Sequence, residues 1–383
     1  MSLIFVLAPD SFKESMTAEQ ACAAMQRGIE KALPNAQFMH VPMADGGEGT
    51  VDALVSARHG RKVDIEVSNP LIYSKVETYF GLIENDQTAV LEMALANGIH
   101  LIKPSQRNPL LTSTLGTGEM IKAALDLGVS KIIIGLGGSV TNDAGAGMAQ
   151  ALGAKFFDEN DQVVQVGGGQ LSQIKSIDFS QLDSRLKSTE IIIASDVNNP
   201  LCGKNGASHI FAPQKGATSE MVEVLDQNLK YFADLIAQHI GQDFQNIAGA
   251  GAAGGLGFGL MTFAGAKIRS GVEIVIEETG LAEKIAQSDY VFTGEGGIDF
   301  QTKFGKTPFG VAQVAMRFNK PVIAFAGYVG EGIEELYDEG FTAIFGIVDG
   351  ACDLPTALKN GEKNLERTCE NIARTLVVTL HDV

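Results

Sequence analysis

Five short stretches of the chain place a carboxylate beside glycine or a hydroxyl residue. They are Pro9-Asp10-Ser11-Phe12-Lys13, Ala44-Asp45-Gly46-Gly47-Glu48-Gly49-Thr50, Gly137-Gly138-Ser139-Val140-Thr141-Asn142-Asp143, Ser195-Asp196 and Thr293-Gly294-Glu295-Gly296. Two loops add cations: Pro213-Gln214-Lys215-Gly216-Ala217 and Lys303-Phe304-Gly305-Lys306-Thr307-Pro308. The second is expected to open a helix with Pro308 in its first turn, where free backbone N–H groups and the helix dipole favour an anion. Acids that hold Mg²⁺, backbone and lysines that cradle phosphates, and an Asp that takes a hydroxyl proton are the working parts of phosphoryl transfer.

Each position also has a plainer explanation. Asp45 and Glu48 would suit a polar turn before a helix, although Gly46-Gly47 frees the backbone for close approach. Asn142 and Asp143 would equally serve to cap the next helix. Lys306 and Arg269 would pass as surface cations, and Ser11 and Lys13 as helix-entry residues. Asp196 closes an apolar run, where a carboxylate without a partner is costly; a functional role is the better explanation there. Generic nucleotide motifs fit poorly. A Walker A loop ending at Gly305-Lys306-Thr307 needs glycine where Phe300 stands. Gly249-Ala250-Gly251-Ala252-Ala253-Gly254 matches a dinucleotide fingerprint, with Glu277 further on, but no buried strand precedes it. Helix packing explains those glycines as well.

The elements that must position these residues follow from periodicity. Apolar runs at 3–8, 38–41, 132–134, 191–194, 290–292, 322–325 and 343–347 read as buried strands. Thr17 and Gln20 form a capping box ahead of a helix with Ala21, Met25, Ile29 and Leu33 on one face, stopped by Pro34. Further helices are expected at 49–57 and 219–240, the latter with Leu225, Leu229, Phe232 and Ile236 aligned. Strand alternating with helix implies a parallel sheet, and so an α/β protein. Three β-rich runs between 62 and 93 leave no room for crossover helices, which points to an antiparallel piece. The expected plan is a Rossmann- or flavodoxin-like parallel-sheet domain from 1–60 and 285–383, with a second α/β domain, 61–284, inserted in it. Ligands of open α/β sheets bind beyond the carboxyl ends of the strands, where five of the acidic turns fall.

Composition narrows the function. Of 383 residues, 45% are hydrophobic and 20% charged, so the chain is expected to fold rather than stay disordered. A formal net charge of −17 argues against nucleic acid or an anionic membrane as partner. The four cysteines show no C-x-x-C spacing and the histidines no H-E-x-x-H, so no zinc site is expected and free thiols suit a reducing cytoplasm. The start of the chain lacks a basic region before its apolar run, unlike a signal peptide. The uncharged stretch 247–266 is glycine-rich and is expected to be a loop and buried helix, not a membrane span. A soluble cytoplasmic protein, monomer or homodimer, is expected.

Taken together, Ala8 to Lys13, Pro42 to Thr50, Gly116-Thr117-Gly118-Glu119, Gly137 to Asp143, Phe211 to Ala217, Gly249 to Gly255 and Thr293 to Gly296 resemble the type-1 family of bacterial glycerate kinases. The blocks run in order over nearly the whole chain. Small departures stand at Glu14, Gln106, Val140 and Ser195, where the family has glycine, glutamate, alanine and cysteine; none removes a carboxylate or lysine named above. The resemblance implies ATP-dependent phosphorylation of D-glycerate with Mg²⁺, on two α/β domains with the active site in the cleft between them. It is best associated with the 2-phospho product, the 3-hydroxyl being the alternative. Within it, Asp196 and Lys215 are expected to be catalytic. Asp10, Ser11, Lys13, Asn142 and Arg269 are expected to bind glycerate, Gly137, Gly138, Ser139, Gly294, Gly296 and Lys306 the nucleotide, and Asp45, Glu48 and Glu295 the metal. The rival classes are a nicotinamide-dependent oxidoreductase using 249–254 and a non-catalytic sugar-acid sensor.

Overall fold

The computed structural model describes residues 2–165 and 167–381; the outermost residues of the expected first domain, 1 and 382–383, and position 166 of the inserted one lie outside them. In chain order the strands are β1 (Ile4–Leu7), β2 (Gln37–His40), β3 (Arg61–Ser68), β4 (Lys75–Ile83), β5 (Thr88–Glu92), β6 (Lys131–Gly135), β7 (Lys155–Phe157), β8 (Ser176–Asp178), β9 (Glu190–Ala194), β10 (Lys267–Arg269), β11 (Tyr290–Ile298), β12 (Val322–Val329) and β13 (Ala343–Gly346). The chain divides into two compact units. The first comprises Met1–Asp45, Asp52–Arg58 and Val272–Val383, the second Gly46–Val51 and His59–Gly271.

The first unit is built on an all-parallel sheet in the order β13-β12-β11-β1-β2. Counted along this unit that is the doubly wound order 2-1-3-4-5, whose switch point lies between β1 and β11. Phe5, Val6 and Leu7 are fully buried, as a strand covered on both faces requires. Phe5 meets Phe292 edge-on and Phe292 packs on Phe325, so one aromatic layer ties three strands together. Burying each of these rings contributes about 1.5–3 kcal/mol. Helix Ala18–Glu30 begins at the Thr17/Gln20 capping box and sends Ala21, Cys22, Met25 and Ile29 into this core. Helix Gly361–His381 packs there too, through Leu365, Cys369 and Ala373.

The second unit holds a mixed sheet in the order β10-β9-β6-β5-β4-β3. Strands β5, β6, β9 and β10 run parallel, while β3 and β4 extend the sheet antiparallel. The three runs expected to form an antiparallel piece are thus the edge of a larger sheet, with β5 as the turning strand. Helix Ser219–Ile240 has the expected bounds, is capped by Thr218, and buries Leu225, Leu229, Phe232 and Ile236. Residues 247–266 form a loop and the buried helix Ala252–Ala264, whose first turn is broken by positive φ at Ala253, Gly254 and Gly255. Among the described residues no helix is long and apolar enough to cross a membrane.

Candidate functional site

The switch point of the first unit gathers carboxylates. Asp10 follows β1 and its N–H donates to Gly294 O on β11 at 2.8 Å, which sets it beside the strand that carries Glu295. One Asp10 oxygen accepts from the Ser11 N–H and the other from the Thr307 hydroxyl, at the start of helix Thr307–Arg317. Burial, with the charge of Asp45 second, raises the Asp10 carboxyl to about 8, against the two hydrogen bonds that hold it down. Glu295 is raised to about 7, again chiefly by burial; Lys306 opposes the shift, and Asp45 adds to it. Lys306 Nζ lies 3.3 Å from Glu295 Oε1 and donates to Gly297 O at 3.0 Å. Gly296 lies alongside the Phe12-Lys13 backbone, and Lys13 itself is exposed. Asp10, Ser11, Asp45, Gly294, Glu295 and Lys306 therefore come together, with Asp10 beside two further acids.

The second unit carries its own group at the carboxyl ends of its parallel strands. Ser195 N–H donates to Arg269 O at 3.1 Å, so Asp196 and Arg269 leave neighbouring strand ends side by side. The Gly46-Gly47 segment crosses β6 and β9 so closely that a Cβ on Gly46, at φ +88°, would lie 2.7 Å from Ala194 O. A Cβ on Gly137 would lie 2.7 Å from Gly47 Cα. Glu48, next in the chain, is exposed, and the Val51 N–H beyond it is taken by buried Glu92 at 2.8 Å. Gly137 and Gly138 are exposed while Ser139 is buried.

Asn142 is placed differently. It is fully buried and donates to Ser208 Oγ at 3.0 Å. Lys215 is only 1% exposed, and its ammonium donates to Ser139 Oγ at 2.8 Å and Thr141 O at 2.7 Å. Burial pulls it down to about 7, against the attraction of Asp143. The glycines at 249–254 follow no strand. Gly249 packs on Val197 and Ile268, Gly251 on Asn199 and Pro200, and Gly254 on Thr141 and Asn142, with Ala144 N–H donating to Gly254 O at 3.1 Å, which is packing and not a dinucleotide loop. Thr307, Thr114, Ser208 and Glu92 were missed as contributors. Thr307 had a local signal, its place between Lys306 and Pro308, but nothing in spacing pairs it with a residue 297 positions away.

The raised carboxyls set a pH dependence. Between about pH 4 and 8 the folded state keeps protons on Asp10 and Glu295 that the unfolded chain has lost, so both lower stability as pH rises. Lys215 acts with the opposite sign above about 7. Melting temperature between pH 5 and 7 is expected to fall more steeply in the native protein than in Asp10→Asn. Parallel slopes in the two would show that Asp10 is not held protonated.

A doubly wound sheet with crowded carboxylates at its switch point, a lysine paired to one of them and a helix start alongside is an α/β arrangement that suits phosphoryl transfer. The glycerate kinase family model matches residues 5–377. The chain is 49% identical over 377 residues to the glycerate kinase of Haemophilus influenzae, spanning 98% of this chain and all of that one. It is 45% identical to the glycerate 2-kinase of Escherichia coli, over 98% and 99% of the two chains. A crystallised Salmonella typhimurium LT2 protein assigned as glycerate kinase 2 superposes with a TM-score of 0.87 at 46% identity, covering 100% of both chains. The chain belongs to the glycerate kinase family and is a kinase.

Proposed function

We propose that the protein transfers the γ-phosphoryl group of ATP to the 2-hydroxyl of D-glycerate, releasing ADP and 2-phospho-D-glycerate. The observation that carries this is the group of buried Asp10 and half-buried Asp45 and Glu295 beside Lys306, in a chain 45% identical over nearly its full length to a protein named glycerate 2-kinase. Among the described residues no three acidic, His or Cys side chains are set as a complete metal cage. Mg²⁺ does not need one, because it takes one or two carboxylates and completes its shell with phosphate oxygens and water. The donor set fits: hard carboxylate oxygens, crowded enough that two of them are raised towards neutrality, gain from a divalent cation. Asp45 and Glu295 would hold it, and the ion would supply neutralisation of phosphate charge.

The protein's own groups then divide the work. Asp196 accepts the proton of the attacking hydroxyl, and Arg269, on the adjoining strand end, holds the glycerate carboxylate. Lys306 and the start of helix Thr307–Arg317 favour a phosphate through charge and free N–H groups. The exposed Gly137-Gly138 turn offers backbone to the nucleotide without side-chain obstruction.

Incubation of the purified protein with ATP, Mg²⁺ and D-glycerate, followed by proton-coupled ³¹P NMR, tests this directly. The 2-phosphate sits on a carbon bearing one hydrogen and is expected as a doublet, with ADP appearing in step. A triplet, from the two hydrogens beside a 3-phosphate, would transfer the assignment to the 3-hydroxyl. Absence of phosphoglycerate in either form would sink the activity.

A further inference from the structure

The loop from Gly137 to Gly147 is held on two sides by the buried side chains of Lys215 and Asp143. Lys215 takes its oxygens, Ser139 Oγ and Thr141 O. Asp143, fully buried, takes its N–H groups, accepting from Gly145 and Gly147 at 3.2 Å. The same carboxylate accepts from the Thr114 N–H at 2.8 Å and hydroxyl at 3.0 Å, which anchors the loop to the start of helix Leu115–Asp126. The stem of Lys215 is fixed as well. Its own N–H donates to Ala212 O at 3.0 Å, and Gly216 and Ala217 close the turn onto Pro213 O and Ala212 O.

We propose that Lys215 is a positioning residue, bracing the Ser139–Thr141 segment so that the Gly137-Gly138 turn keeps the shape that receives phosphate, and that it does not touch the transferring phosphoryl group. The proposal rests on the kinase reading above. Lys215 is only 1% exposed, and to reach a ligand its ammonium would have to break two short hydrogen bonds. A brace also tolerates loss of charge. An ammonium has three N–H donors and a neutral amine two, and two acceptors are served here. With burial lowering Lys215 to about 7, that tolerance is needed near neutral pH.

The test compares Lys215→Met, Ser139→Ala and the double variant with the native protein, by steady-state kinetics and by amide hydrogen exchange over 137–147. A brace predicts that Lys215→Met raises KM for ATP by about tenfold or more, with a smaller fall in kcat, and speeds exchange in the loop. Ser139→Ala gives a weaker effect of the same kind, and the double variant lies within about twofold of Lys215→Met because one connection has been cut twice. A kcat lowered by about 10³-fold with KM and exchange unchanged, or fully multiplicative losses in the double variant, would overturn the proposal in favour of direct contact. If Lys215→Met does not fold, Ser139→Ala decides by the same two readouts. Should the native protein form no phosphoglycerate, the kinase reading fails, and exchange alone still decides whether Lys215 holds the loop.

Discussion

Replacing Asp196 with asparagine is expected to lower kcat by about 10²–10³-fold while the KM for glycerate stays within about threefold. Asparagine keeps the size and one carbonyl acceptor, so substrate still docks, but the amide takes no proton. The effect sits towards the lower part of the range for general bases because phosphoryl transfer passes through a loose transition state. Bond formation to the hydroxyl is small there, and its proton becomes acidic late. The placement of Asp196 favours this role. It lies two residues beyond β9, beside the end of β10, and the Ser195 N–H ties that segment to Arg269 O, so the carboxylate stands close to an anchored strand end. Initial rates of ADP formation at saturating ATP and glycerate measure it. A kcat within about threefold of native would remove Asp196 as the base. A rise in glycerate KM without loss of kcat would recast it as a binding residue.

Local chemistry made much of the scaffold legible. The Thr17/Gln20 capping box, the bounds of helix Ser219–Ile240 and the buried strands at Phe5 and Phe292 each depend on residues a few positions apart, and each forms as patterned. Strand ends located the acidic turns for the same reason, since parallel strands set all their carboxyl ends along one edge of the sheet. Lys215 shows the limit. Its sequence context, a Pro-Gln-Lys-Gly turn, looks like an exposed cationic loop, and only tertiary packing turns the ammonium inward onto residues about 75 positions earlier. Asn142 was equally opaque, because Ser208, the residue that takes its side-chain N–H, lies 66 positions away. The surroundings of Asp10 are set by Asp45, Glu295 and Thr307, the last 297 positions away, and no local pattern announces them. Charge partners chosen by the fold do not leave a local signature.

The glycine-rich run that imitates a dinucleotide fingerprint leads to the largest expected loss of stability. Gly254 has φ +69°, a region that costs an L-residue about 1–2 kcal/mol. A Cβ there would meet Thr141 O and lie 2.6 Å from Asn142 Cα, and both are backbone atoms that cannot swing aside. They belong to the loop that Lys215 and Asp143 already hold, so the segment has little freedom to retreat. Gly265 provides the control: φ is +63°, but no atom lies within 4 Å of its would-be Cβ. Gly265→Ala is therefore expected to cost about 1–2 kcal/mol, lowering the melting temperature by no more than roughly 5–8 °C. Gly254→Ala adds a backbone collision to the same torsional cost and is expected to exceed about 4 kcal/mol, enough to leave little soluble folded protein. Thermal melts and soluble yields of the two variants separate the contributions, because the torsional part is common to both. Equal and mild losses would mean that the 141–142 backbone yields, and with it the claim that this loop is rigidly braced.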